Sequence, residues 1–142
     1  MILQYTTAAL VSENKTLCFP ASADSIPTSL GQEDHVSMGS IGVRKSLRIV
    51  ENLEKILAIE LLTAAQGFDF RKPLKSGILI EETHRLIREH ITFAETDRVF
   101  SDDIEKAIEL IQSKDIIKNI HLVTTKNQLE FKNEDHELFG IY

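Results

Sequence analysis

The chain has 142 residues, 42% of them hydrophobic and 27% charged, enough for one domain with a core and too few for two. Its 16 Lys and Arg stand against 22 Asp and Glu. A net charge of -6 with no basic block argues against charge-driven binding to nucleic acid or an anionic membrane.

The lone cysteine, Cys18, can close no intrachain disulfide and build no cysteine zinc site, which points to a reducing, cytoplasmic compartment. Met1-Ile2-Leu3-Gln4 lacks the basic region and long apolar run of a secretory signal. The greasiest stretch, residues 56–62, is interrupted by Glu60 and is too short to span a bilayer, so no membrane insertion is expected. Few aromatics, no Trp, 3 Pro and 6 Gly favour an all-α fold.

Residues 4–17 read as a helix with Ala8, Leu10, Val11 and Leu17 among its apolar positions. Residues 19–33 then form a long loop, because Pro20, Pro27, Gly31 and the Ser/Thr residues break any period. Loops of this length in a compact domain are usually functional or disordered. The loop carries into a long helix over about 34–66. There Val43, Leu47, Val50, Leu53, Leu57, Leu61 and Ala64 step by four and three, and a second row of Ile49, Ile56 and Ile59 widens the apolar surface. Beyond Ile56 nearly every flank is apolar, so burial among several helices is expected, including helices of other subunits. Gly67 is placed to end this helix.

Two shorter helices follow. Ser76 is placed to cap one that runs to about His90, with Ile80, Leu86, Ile87 and Ile91 as its apolar members. Asp102 opens the other, paired with Glu105 as in a capping box. Ile104, Ala107, Ile108 and Ile111 repeat at helical spacing. Residues 121–125 and 128–131 read as two strands around Lys126-Asn127. They would form a small terminal β-hairpin, which two strands alone hold only marginally in water. The whole is a single helical domain over residues 1–142.

The polar cluster Gln32-Glu33-Asp34-His35 lies where the loop meets the long helix. A helix N-terminus offers free N–H groups and a positive partial charge. Two readings stay open there: Asp34 caps the helix among solvated neighbours, or one of the four meets a ligand. The five histidines show no ligand spacing, so no metal site is expected. Gly39-Ser40-Ile41-Gly42 is too short for a phosphate loop, and no serine has a nucleophile-elbow context.

Three stretches carry a resemblance. They are Gln4-Tyr5-Thr6-Thr7-Ala8-Ala9-Leu10-Val11-Ser12-Glu13-Asn14-Lys15, Pro20-Ala21-Ser22-Ala23-Asp24-Ser25-Ile26-Pro27-Thr28-Ser29 and Gln32-Glu33-Asp34-His35-Val36-Ser37-Met38-Gly39. With Arg44-Lys45, Ile49-Val50-Glu51-Asn52 and Ala58-Ile59-Glu60-Leu61-Leu62, the chain resembles the C-terminal portion of the histidine ammonia-lyases, in the aromatic amino acid lyase family.

The resemblance implies a bundle of long helices in a homotetramer, and elimination of ammonia from L-histidine to give trans-urocanate. It implies an electrophilic methylidene-imidazolone cofactor made from an Ala-Ser-Gly tripeptide. No such tripeptide occurs here; the nearest is Ala21-Ser22-Ala23. The chain alone is therefore expected to hold no cofactor and to be inactive, since a carboxylate cannot replace the electrophile. Glu33 matches the family's active-site glutamate, a catalytic and substrate-binding position, with Gln32 beside it as a further substrate-binding residue. A carboxylate suits an imidazole N–H donor. The expected partners are further copies of this chain or a complementing lyase chain. The alternative is a non-catalytic helical oligomerisation or binding module.

Overall fold

A computed structural model describes residues 2–32 and 36–129. Among them five α-helices follow one another: α1 Ile2–Leu17, α2 Gly39–Asp69, α3 Ile78–His90, α4 Ser101–Gln112 and α5 Asp115–Lys126. No strand occurs among the described residues.

The core lies at the C-terminal half of α2. Ala58, Leu62 and Ala65 pack there against Ile87 of α3, the following Ile91, and Ala107 and Leu110 of α4. Ile104, Ile108 and Ile111 lean on the cluster from α4, so the spacing read from the sequence is a packing face. Gln66 ties the α3–α4 connection to α2 by a reciprocal amide pair. Its Nε2 donates to the Ala94 carbonyl at 2.9 Å, and the Ala94 N–H donates to its Oε1 at 3.2 Å.

The two apolar rows of α2 part company. Ile59, Leu62 and Ala65 are buried, whereas Val43, Leu47, Val50, Leu53 and Leu57 lie exposed along the other face. The four-three stripe is helical as expected, but as far as Leu57 it faces outward within this chain, and only Leu61 turns in against the core.

α1 has no buried residue and is fastened to α2 by polar groups. Asn52 is fully buried. Its Nδ2 donates to Glu13 Oε2 at 3.0 Å and to Asn14 Oδ1 at 2.9 Å. Arg48 adds Nε and Nη2 contacts to Glu13 Oε1, both at 3.3 Å.

Several helix ends differ from their expected places. α2 passes through Gly67 to Asp69, so Gly67 is an interior residue. At its start the cap position is Met38, not Asp34, with no side-chain cap. α3 is entered through Gly77 rather than Ser76, and the Ser76 N–H donates to Glu81 Oε1 at 2.7 Å. α4 is entered at Phe100, which leaves Asp102 and Glu105 inside the helix rather than in a capping box.

The expected hairpin fails at its first strand, because residues 121–125 belong to α5. The physical reason is burial on a helical period. Ile116 packs against the core, Ile120 is half-buried and Val123 is buried, at spacings of four and three. The Thr124 and Thr125 hydroxyls donate to the carbonyls four residues back, so no polar group opposes the helix. Glu130 and Phe131, which belong to the expected second strand, lie outside the described residues.

Candidate functional site

The loop expected over 19–33 holds two short 3-10 turns, Ala21–Ala23 and Ser29–Gly31, and is pinned to the start of α2 at several points. Lys45 donates its Nζ to the Phe19 carbonyl and sits 5.7 Å from the centre of the Phe19 ring. The Ala21 turn lies beside α2, where a methyl on Gly42 would stand 4.0 Å from Ala21 Cβ. Further on, the Val36 N–H donates to Ser25 Oγ at 2.9 Å, bridging eleven residues in a half-buried position.

Between those anchors the backbone turns left-handed for three residues in a row, with φ of 54° at Ser29, 57° at Leu30 and 84° at Gly31. Glycine adopts this freely, but Ser29 and Leu30 pay about 1–2 kcal/mol each. The Gly31 N–H donates to the Thr28 carbonyl at 3.1 Å, and the Gln32 N–H to the Ser29 carbonyl at 3.2 Å. Gln32, one of the two expected site residues, is exposed directly after this run. Glu33, the other, lies outside the described residues with Asp34 and His35.

A second polar cluster, unforeseen from the sequence, joins α2 to α3. Asp69 is almost buried. It accepts from Arg88 Nε at 2.7 Å, pairs with Lys72 Nζ at 2.7 Å and has His84 Nε2 3.2 Å away. Burial alone would push its carboxyl up, but hydrogen bonds from Lys72, Arg88 and His84 outweigh that and hold it at about 2. The Phe68 ring lies 4.7 Å from the His84 ring. His84 and Arg88 stand 15 and 19 residues beyond Asp69, on α3, so no local pattern announces them.

A comparable pair fixes the α3–α4 connection. Arg98 donates to Asp103 Oδ2 and reaches back to the Thr92 hydroxyl and carbonyl. Among the described residues no three His, Cys, Asp or Glu side chains gather as a metal set. Cys18 is exposed, its Sγ 3.2 Å from the Asn14 carbonyl. Among the described residues no helix is long and apolar enough to cross a membrane.

Residues 1–89 match the family model described as aromatic amino acid lyase. The histidine ammonia-lyase of Natranaerobius thermophilus is 56% identical over 111 residues, covering 78% of this chain and 22% of that one. That of Vibrio cholerae is 56% identical over 112 residues, covering 79% and 22%. The crystal structure of histidine ammonia-lyase from Trypanosoma cruzi superposes with a TM-score of 0.82 at 49% identity, over 85% of this chain and 24% of that chain. Tyrosine aminomutase from Streptomyces globisporus superposes with a TM-score of 0.78 at 34% identity, over 83% and 22%. The chain thus spans 22–24% of the length of these relatives. A match over residues 1–89, together with the shared arrangement of its helices, establishes that the chain belongs to the aromatic amino acid lyase family.

Proposed function

We propose that this chain is a C-terminal segment of a histidine ammonia-lyase and supplies the acidic corner of its active site. The parent reaction is elimination of ammonia from L-histidine to give trans-urocanate. The observation that carries this reading is the 56% identity to enzymes named histidine ammonia-lyase, against 34% to a tyrosine aminomutase. Glu33 is the proposed catalytic residue, accepting from the substrate's imidazole N–H, with Gln32 beside it in substrate binding. A charged acceptor on a ring N–H favours histidine over an apolar aromatic amino acid. The lone cysteine and acidic charge accord with a cytoplasmic setting.

The electrophile cannot come from this chain. The residues nearest to the required tripeptide do not fit, because Ala23 stands in place of the glycine. Ser22 lies exposed in a 3-10 turn on the loop. The chain alone therefore has no lyase activity, and activity requires a complementing lyase chain that carries Ala-Ser-Gly. The uncovered apolar stripe on α2 supports a partner of that kind or a homo-oligomer.

Urocanate absorbance tests this in two arms. The purified chain alone should show no turnover; a signal that survives controls for host lyase would overturn the inactivity. Reconstituted with the missing lyase portion, Glu33→Gln should lower turnover about tenfold or more, the scale of one charge-assisted hydrogen bond, with the melting temperature unchanged. Equal turnover would remove Glu33 from the site. A reconstituted mixture that stays inactive with wild-type chain would favour the non-catalytic module instead.

A further inference from the structure

We propose that Leu30 is an anchor, which one copy of the chain seats in the groove between α2 and α3 of a second copy, the two α2 helices lying antiparallel. The inference rests on the homo-oligomer reading of the uncovered stripe, and deepens it by naming both halves of the contact.

Leu30 is wholly exposed, and its backbone is left-handed at φ 57°, between Ser29 at 54° and Gly31 at 84°. A large apolar side chain held in water by a backbone it resists serves nothing within the monomer. An aliphatic anchor filling a pocket of a partner is a use that fits it.

The chain carries such a pocket. Leu61, Ala64 and Phe68 of α2, with Ile80 of α3, line a recess of about 190 Å³ in which Thr83 and His84 are the polar members. The Thr83 hydroxyl already donates to the Leu79 carbonyl at 2.8 Å. An apolar cavity of about 150 Å³ accommodates benzene, so a leucine side chain has room here. Leu57, Leu61, Ala64 and Phe68 follow at steps of four, three and four, which places the recess on the line of the exposed stripe.

Leu30 cannot reach the recess of its own chain. Its loop is held at the start of α2, by Lys45 on Phe19 and by Ala21 beside Gly42. From Gly42 to Ala64 the helix runs about 33 Å at 1.5 Å per residue. A two-fold pair removes that distance. With its axis crossing α2 between Val50 and Leu53, position 42 of one helix lies beside positions 58–64 of the other, and the two stripes cover each other. α1 does not obstruct, because it is clasped on the opposite face at Asn52. The stripe and Leu30 would bury on the order of 1,400 Å² over both copies, within the range of about 1,200–2,000 Å² of specific interfaces.

Disulfide trapping in the full chain, with Cys18→Ser as background, tests the contact, since a disulfide needs Cα atoms within about 7 Å. Leu30→Cys mixed with Ala64→Cys under oxidised glutathione should give many times more covalent dimer than either variant alone. In sedimentation, Leu30→Asp should raise the dimer dissociation constant about tenfold or more, the scale of one leucine left unburied. Leu30→Met, which keeps the apolar bulk, should restore it, and amide protection from Ala58 to Ala65 should stay at wild-type level throughout.

An oligomer in which Leu30→Cys links only to itself or to nothing would overturn the proposal, as would an unchanged dissociation constant in Leu30→Asp. Either result leaves the stripe as an interface of another geometry. A clean wild-type monomer at micromolar concentration would overturn the homo-oligomer reading as well. The role proposed for Glu33 depends on none of these results.

Discussion

At Asp69 an ion sits where burial alone would discharge it. Lys72 in the turn after α2, with Arg88 and His84 of α3, keeps it ionised, its carboxyl at about 2 against an ordinary value of 3.8. A depressed carboxylate contributes stability above its unfolded value, and that contribution fades as pH falls from about 4 towards about 2. For a site at the edge of solvent the stabilisation is on the order of 1–2 kcal/mol. Asp69→Asn should therefore cost about 2 kcal/mol at neutral pH, because Arg88 keeps its place with a weaker acceptor. The penalty should shrink as pH falls from about 4 towards about 2, and be clearly smaller already at pH 3. Urea unfolding at pH 7 and pH 3 measures both values, and a penalty equal at the two pH values would contradict the assignment. Asn52 makes the corresponding case for α1. Asn52→Ala removes the donor shared by Glu13 and Asn14, and should cost about 1–2 kcal/mol. Amide exchange should then quicken along α1 while the α2–α4 core stays protected; a uniform change over all helices would argue against a local clasp.

At the scale of elements, α2 separates two kinds of apolar residue that the sequence does not distinguish. Leu62→Ala, in the core, should cost about 3 kcal/mol. Leu57→Lys, on the open stripe, should change the stability of the monomer by no more than about 0.5 kcal/mol. Chemical denaturation of the two variants side by side tests whether the faces are assigned correctly. Periodicity made the helices legible, and α4 in particular, because its face is read from residues three and four apart. The face that finds a partner within the chain is set by α3 and α4, far along the sequence, and no window over α2 contains that information. The same holds for residues 121–125. Their β-branched side chains favour a strand locally, and the burial of Val123 on a period shared with Ile116 decides for a helix. Of the proposed site, Gln32 and Glu33 were reached through resemblance to a family, since a polar cluster before a helix has no distinguishing pattern of its own. The bond between Ser25 and Val36 was not legible at all, because its two ends lie eleven residues apart in a loop without a period.

For the whole molecule, the balance of covered and uncovered surface is the governing fact. A chain matching 22–24% of its relatives' length presents Val43, Leu47, Val50, Leu53 and Leu57 to solvent along one line. Light scattering should find the chain larger than a monomer at micromolar concentration, and Leu53→Lys with Leu57→Lys should return it towards monomer. A wild-type chain that stays monomeric would argue against partners on this face. The buried cluster and the anchored loop sit at opposite ends of α2, whose 31 residues extend about 46 Å at 1.5 Å per residue. The helix is thus a lever with its fulcrum at Leu62 and Ala65. A tilt of roughly 5° at the fulcrum carries the far tip through about 3 Å, on the same helix dimensions. Small volume changes in the core, remote from Gln32, are thereby magnified into misalignment of the loop, so the precision of that loop is set by how tightly a few alanines and isoleucines pack at the other end.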